Sequence, residues 1–311
     1  MFEKMTRRTF IKKSAFIGAS SLFGMSILSR CTRTTVPSAD ITVVKGDDYL
    51  KSTVKAVDNL GGMGRFVPRG SRVAILANPQ RNNPGAFTKP EIVRAAIRMC
   101  KDAGAEEISC LSWLPEQNWE ATGVKAAVVE EGANLIIIDL KDETLFKPVQ
   151  VPNGVALKEA RIMQNFFDYD VFIDMPITKD HAGNKFTGTL KNLMGLNSPK
   201  NNRTFHMMEW KTDIDAITHL DQCIADLNTV ISPDLCIVDA TEFITTNGPF
   251  GPGELIHPQK VVAGTDRVAI DAYCATLWGL KGADIIHIQK AYEHKLGEID
   301  LDAVTIDELE I

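Results

Sequence analysis

Paired cysteines are missing from this sequence. Its six cysteines stand at positions 31, 100, 110, 223, 236 and 274, with no C-x-x-C pair among them. Structural zinc sites and cysteine-held clusters draw on closely spaced thiolates, so no iron-sulfur cluster is expected. Without Cys31 the remaining five are odd in number, which argues against a fully paired disulfide framework. Cys100, Cys236 and Cys274 lie inside apolar runs and read as small buried hydrophobes. A basic excess is missing too. The formal charge is −6, and removing residues 1–30, with six Lys and Arg and one acid, leaves 28 basic against 39 acidic residues. Binding to a phosphate backbone needs a basic face, so nucleic acid is excluded as a partner. There is no internal repeat and no low-complexity tract.

What is present suits a folded α/β protein. At 311 residues and 44% apolar content, the chain can bury the core of one large domain or of two lobes. Its N-terminus carries Thr6-Arg7-Arg8-Thr9-Phe10-Ile11-Lys12, followed by an apolar, small-residue run from Ala15 to Ser29. This looks like a twin-arginine signal segment over residues 1–30, with an apolar region too short for a comfortable membrane span. It implies export to the periplasm or cell envelope by the twin-arginine machinery, a route used by proteins folded before export, often around a cofactor. Membrane contact is then expected only through this segment. Cys31, after Leu28-Ser29-Arg30, loosely resembles a lipid-attachment site, with Arg30 where a small residue is usual. Residues 31–40 form a linker, and 41–311 the α/β domain.

Strand-like and helix-like runs alternate along that domain. Apolar strands are expected at Ile41 to Val44, Ser71 to Asn78, Glu107 to Ser112, Leu135 to Asp139, Tyr169 to Pro176, Leu235 to Asp239 and Lys260 to Ala263. Helices are expected between them, at 49–60, at 88–104 behind a Thr88/Glu91 capping box, at 123–132 and at 157–167. Others follow along Ile217, Leu220, Ile224 and Leu227, then from a Thr265 cap to about Trp278, and at 283–294. Val304 to Leu309 reads as a terminal strand. This alternation predicts a mainly parallel sheet with helices on both faces. The irregular or hairpin stretch 141–155 is where two lobes would divide.

The functional signal is concentrated after the strand at 169–176. Lys179, His181, Lys185, Lys191 and His206 arrive together, interleaved with Gly183, Gly188 and Gly195. Glycine allows close backbone approach, and lysine and histidine supply cationic, nucleophilic or metal-binding groups. In a parallel sheet, loops at strand C-termini are the expected ligand sites. A second glycine-rich loop, Thr246 to Gly253, also follows a strand; its Gly248, Gly251 and Gly253 are either an anion cradle or a rigid turn.

Several blocks together resemble a known family. Gly61-Gly62-Met63, Lys179-x-His181, Thr189-x-Lys191-Asn192-Leu193-x-Gly195, Asn247-Gly248-Pro249-x-Gly251 and Gly264-Thr265-Asp266-x-Val268-Ala269-x-Asp271-Ala272 occur in the order seen in domain of unknown function 362, over about residues 41–299. Many members carry a ferredoxin-like cysteine module, and this chain has none. A more distant resemblance is to the nickel-pincer lactate racemases, which space a histidine, a lysine and a second histidine as His181, Lys191 and His206 are spaced here. The resemblance implies a metal or nickel-pincer-like cofactor tethered by Lys191 and ligated by His206, with His181 as acid or base. Those racemases carry a further catalytic histidine where this chain has Leu111-Ser112-Trp113-Leu114, so a shared fold with different chemistry is implied.

The candidate site is therefore Lys191, His181 and Asp271 as catalytic groups. Lys179, Asn192 and Gly248, Gly251 and Gly253 are candidates for holding a cofactor, and His206 with His181 for holding a metal. Each has a plainer reading: Lys191 as a solvated helix-end lysine, His181 as a capping histidine oriented by Asp180, and His206 as structural. Asp266 is expected to stabilise the start of its helix through the dipole. Two functions follow. One is an exported metal- or cofactor-dependent enzyme acting on a small anionic compound. The other is a non-catalytic ligand-binding protein with the same pocket, which would not need the Lys/His cluster.

Overall fold

The computed structural model describes residues 39–311, so the twin-arginine motif, the apolar run and Cys31 lie outside the described residues. In chain order the elements are β1 (Ile41–Lys45), α1 (Tyr49–Asn59), β2 (Arg72–Ala77), α2 (Pro90–Asp102), β3 (Glu107–Ser112), α3 (Glu116–Ala121), α4 (Val124–Glu130) and β4 (Asn134–Ile137). Next come β5 (Phe146–Gln150), β6 (Glu159–Met163), β7 (Val171–Met175), β8 (Lys179–His181), β9 (Lys185–Thr187), the one-turn α5 (Thr189–Asn192) and α6 (Pro199–Phe205). The chain ends with α7 (Ile214–Leu227), β10 (Leu235–Ala240), β11 (Phe243–Ile244), β12 (Leu255–Ile256), β13 (Lys260–Gly264), α8 (Arg267–Thr276), α9 (Ile286–Glu293) and β14 (Ile306–Glu310).

Eight strands form one sheet in the order β14-β1-β13-β10-β7-β2-β3-β4. It is mainly parallel, as the alternation predicts; β13 alone runs against both neighbours, β1 and β10. Successive side chains on a strand face opposite ways, and the core divides accordingly. Ala74, Leu76, Phe172, Cys236 and Val238 join the cluster that includes Leu220 and Ile224 of α7 and Val268 of α8. Val73, Ile75, Ile173, Leu235 and Ile237 join the one that includes Val57 of α1 and Ile92, Val93 and Ile97 of α2. Helices therefore cover both faces.

Four expectations are corrected. The stretch 157–167 is not a helix: Glu159-Ala160-Arg161-Ile162 alternates half-exposed and buried as β6 and pairs antiparallel with β5. No lobe boundary falls at 141–155, because Phe146, Val151 and Leu157 join the same core cluster as Phe172, and the described residues form one compact unit. Thr88 does not cap α2; its hydroxyl donates to Met175 O at 2.8 Å and accepts from Asn78 N. Asp266, rather than Thr265, caps α8, taking the Val268 and Ala269 amides.

Candidate functional site

Strands β2, β3, β7 and β10 all end at one edge of the sheet, and the loops that leave them enclose a cavity of about 380 Å³. Its wall includes the end of β2 (Leu76 and Ala77), the end of β3 through Trp113, and the β8–β9 hairpin. His181, Lys191 and His206 converge on this cavity. They come from the hairpin, the one-turn helix and the residue that follows α6.

Lys191 is 8% exposed. Its Nζ has no oxygen acceptor, only the Met194 sulfur at 3.6 Å. Burial pulls its pKa down to about 8, against the opposing charge of Asp221. The turn that carries it is fixed from below by Asp271. One oxygen of that carboxylate accepts from Thr189 N at 2.7 Å and the other from Leu190 N at 3.0 Å, the two amides that open α5. Burial raises Asp271 to about 6. Asp271 lies outside the cavity wall, so it is a positioning residue and not the base suggested by its sequence block.

The two histidines are held alike. His181 Nδ1 lies 2.8 Å from Ala182 O, and His206 Nδ1 lies 2.9 Å from Asn202 O. A ring nitrogen facing a carbonyl must donate, so in each neutral ring Nε2 carries the lone pair. Burial, then the Lys191 charge, depresses both: His181 falls well below its ordinary value and His206 to about 4. The ring centres are 6.4 Å apart, with Trp210 at 5.3 Å from His181 and 4.8 Å from His206. Asp180 does not orient His181; its carboxylate accepts from Gly248 N at 2.7 Å.

Other candidates serve the architecture. Lys179 is fully buried and outside the cavity wall, donating to Ala86 O at 2.7 Å, Asn78 Oδ1 at 3.3 Å and Gln80 Oε1 at 3.4 Å. Burial, helped by the Lys191 charge, lowers its pKa to about 7. It ties the loop after β2 to β8 and does not reach a ligand. Asn192 borders the cavity, but its amide donates to Asp174 Oδ1 and Leu76 O and its oxygen accepts from Asn78. Gly248 also borders the cavity, yet it is glycine for packing: a Cβ would strike the Asp180 carbonyl. Gly251 N donates back to Asn247 O, and a Cβ on Gly253 would strike the Thr246 carbonyl. Neither glycine lines the cavity. The loop is a rigid turn and not an anion cradle.

Sequence reasoning missed several wall residues. Arg203 and Lys211 bring two further cations, and among the described residues no Asp or Glu lines the cavity. Trp113 Nε1 and Thr187 Oγ1 are buried without a partner and belong to the same wall. Trp113 sits in the segment where the racemases have a histidine, the one signal that pointed to it. Arg203, Trp210 and Lys211 carried no motif. Among the described residues, no group of three or more His, Cys, Asp or Glu could hold a metal ion, and no helix is long and apolar enough to cross a membrane.

Fold and site thus define an α/β protein with a cationic cavity at the carboxyl edge of a mainly parallel sheet. The chain belongs to the family described as Domain of unknown function (DUF362), whose model matches residues 73–276. It is 28% identical over 242 residues to the Thylakoid-associated protein sll1697 of Synechocystis sp., covering 76% of this chain and 72% of that protein. Among solved structures it is similar to the lactate racemase apoprotein from Thermoanaerobacterium thermosaccharolyticum, with a TM-score of 0.43 and 13% identity over 74% of this chain and 57% of that one. A Thermotoga maritima protein gives 0.41 and 15%, over 62% and 51%. The chain therefore spans little more than half the length of either structure.

Proposed function

We propose that the protein is an enzyme acting on a small anionic compound bound between Lys191, His181 and His206. The observation that carries this reading is the charge of the wall: Lys191, Arg203 and Lys211 line it with no carboxylate, in a chain of net charge −6. Arg203 and Lys211 are positioned to bind and orient the anion, since guanidinium and ammonium groups bond charged oxygens strongly. The neutral rings of His181 and His206 each present an Nε2 that can take a proton from the ligand and hold it. A binding protein would need the cations, but not a buried lysine without an oxygen acceptor beside two histidines in this state.

His181 and His206 fit a metal only in part. A bare ion takes three or four protein ligands, so two histidines suit an ion whose other ligands come from an organic cofactor or from the substrate. Such a cofactor, with Lys191 as the attachment point that the resemblance to nickel-pincer lactate racemases implies, would supply an electrophilic centre.

Binding is tested by melting the protein with a panel of small hydroxy acids, oxo acids and phosphate esters, and titrating the members that raise the midpoint. At least one is expected to bind, with Arg203→Ala weakening it about tenfold, the loss of roughly one charge-assisted contact. If nothing in the panel shifts the melt, or Arg203→Ala and Lys191→Met both bind normally, the reading fails. Metal analysis of the protein as purified checks the cofactor arm.

The export signal belongs to the same proposal and is supported by the sequence alone. Replacing Arg7 and Arg8 together by Lys is expected to retain the protein in the cytoplasm, as read by cell fractionation. Unchanged export would remove the twin-arginine reading and leave the site unaffected.

A further inference from the structure

We infer that Lys191 forms an imine with a small 2-oxo carboxylic acid, an assignment that rests on the anion-binding reading and narrows its substrate class. The argument begins with a contrast between two buried lysines. Lys179 directs its ammonium protons at three oxygens, those of Ala86, Asn78 and Gln80, and such a group is a structural cation. Lys191, also buried, faces only the thioether of Met194. A thioether is a weak acceptor, so nothing in the wall fixes Lys191 as an ammonium. Burial favours the free amine, which is the nucleophilic form, against the opposing charge of Asp221.

The rest of the wall suits the second functional group of such a substrate. A 2-oxo acid carries its carboxylate on the carbon next to the electrophilic carbonyl. The amine and the anion-binding groups must therefore open into one small space, as Lys191, Arg203 and Lys211 do. Thr187 and Trp113 add two neutral side chains with buried, unpartnered polar atoms to the same wall.

The chemistry is balanced without an oxidant or reductant. Lys191 Nζ forms a bond to the carbonyl carbon, and the carbonyl oxygen takes up a proton to give a carbinolamine. The nitrogen lone pair then closes the C=N bond as the oxygen leaves. Both amine protons depart with that oxygen as one molecule of water. Nε2 of His181 or His206 can carry a proton from nitrogen to oxygen, since in each ring Nδ1 is engaged by a carbonyl.

The test is reductive trapping on the full chain, with pyruvate or glyoxylate as probe and cyanoborohydride as reductant, read by intact mass and peptide mapping. One adduct per chain is expected, on Lys191, forming about tenfold or more faster than on any surface lysine. It should be suppressed by excess lactate, which has the carboxylate but no carbonyl, and absent from Lys191→Arg. Labelling spread over surface lysines would overturn the inference. So would a cofactor already covalently attached to Lys191 in the protein as purified. If lactate and pyruvate both raise the melting temperature and no adduct forms, the imine fails while anion binding stands. If neither binds, both fail.

Discussion

Lys179 and Lys191 show how far two identical side chains can be separated by their surroundings. Both are buried and both are lowered in pKa by that burial, yet one is satisfied by three oxygens and the other by none. Their removal should therefore have opposite effects. Lys179→Met leaves Asn78, Gln80 and the Ala86 carbonyl without their donor and is expected to destabilise the fold by about 1–3 kcal/mol. Lys191→Met replaces a poorly solvated amine with an apolar chain of similar length, so its stability should be unchanged or higher. Chemical denaturation of the two variants checks the pair, and equal losses would contradict the separation. The sequence made both lysines visible as a cluster with His181 and His206. Which one faced the cavity depended on where the loop after β2 lay, and no spacing along the chain encodes that.

At the scale of elements, the one-turn helix α5 is too short to stand alone, since helix nucleation is unfavourable. It is held by Asp271, a residue of α8 far along the chain. The block around Asp271 was legible as a motif, whereas its task was not, because a side chain capping another element leaves no local signature. The same limit explains β6: Leu157 to Phe167 is apolar enough for a helix, and its pairing with β5 decided otherwise. Asp271 also makes a pH prediction. Its folded pKa of about 6 lies above the ordinary 3.8, so between those values the folded state holds more protons than the unfolded state. Asp271's own contribution to stability should therefore fall as pH rises from about 4 to 6, by up to about 3 kcal/mol. His181 and His206, both lowered in pKa, change the total in the opposite direction, so the check is the difference in urea-unfolding stability between the wild type and Asp271→Asn, which is expected to fall from about pH 4 to 6. Because α5 carries Lys191, the variant should also trap oxo acids more slowly.

For the molecule as a whole, the alternation of strand and helix fixed the class of sheet, because parallel strands joined by crossovers bury both faces and leave long apolar runs in the sequence. The reversal of β13 was not legible in that pattern. Its residues are as apolar as those of the strands on either side, and direction follows from which edge the preceding loop reaches. That reversal governs how the chain enters the sheet. β1 pairs antiparallel with β13 and parallel with β14, so it runs in the same sense as β2, β7 and β10. Ile41 therefore stands at the amino edge, and the cavity opens at the carboxyl edge. A protein attached to beads or a sensor surface through a residue beside Ile41 at the amino edge presents the cavity to the bulk solution, and small molecules can be screened against it in that orientation.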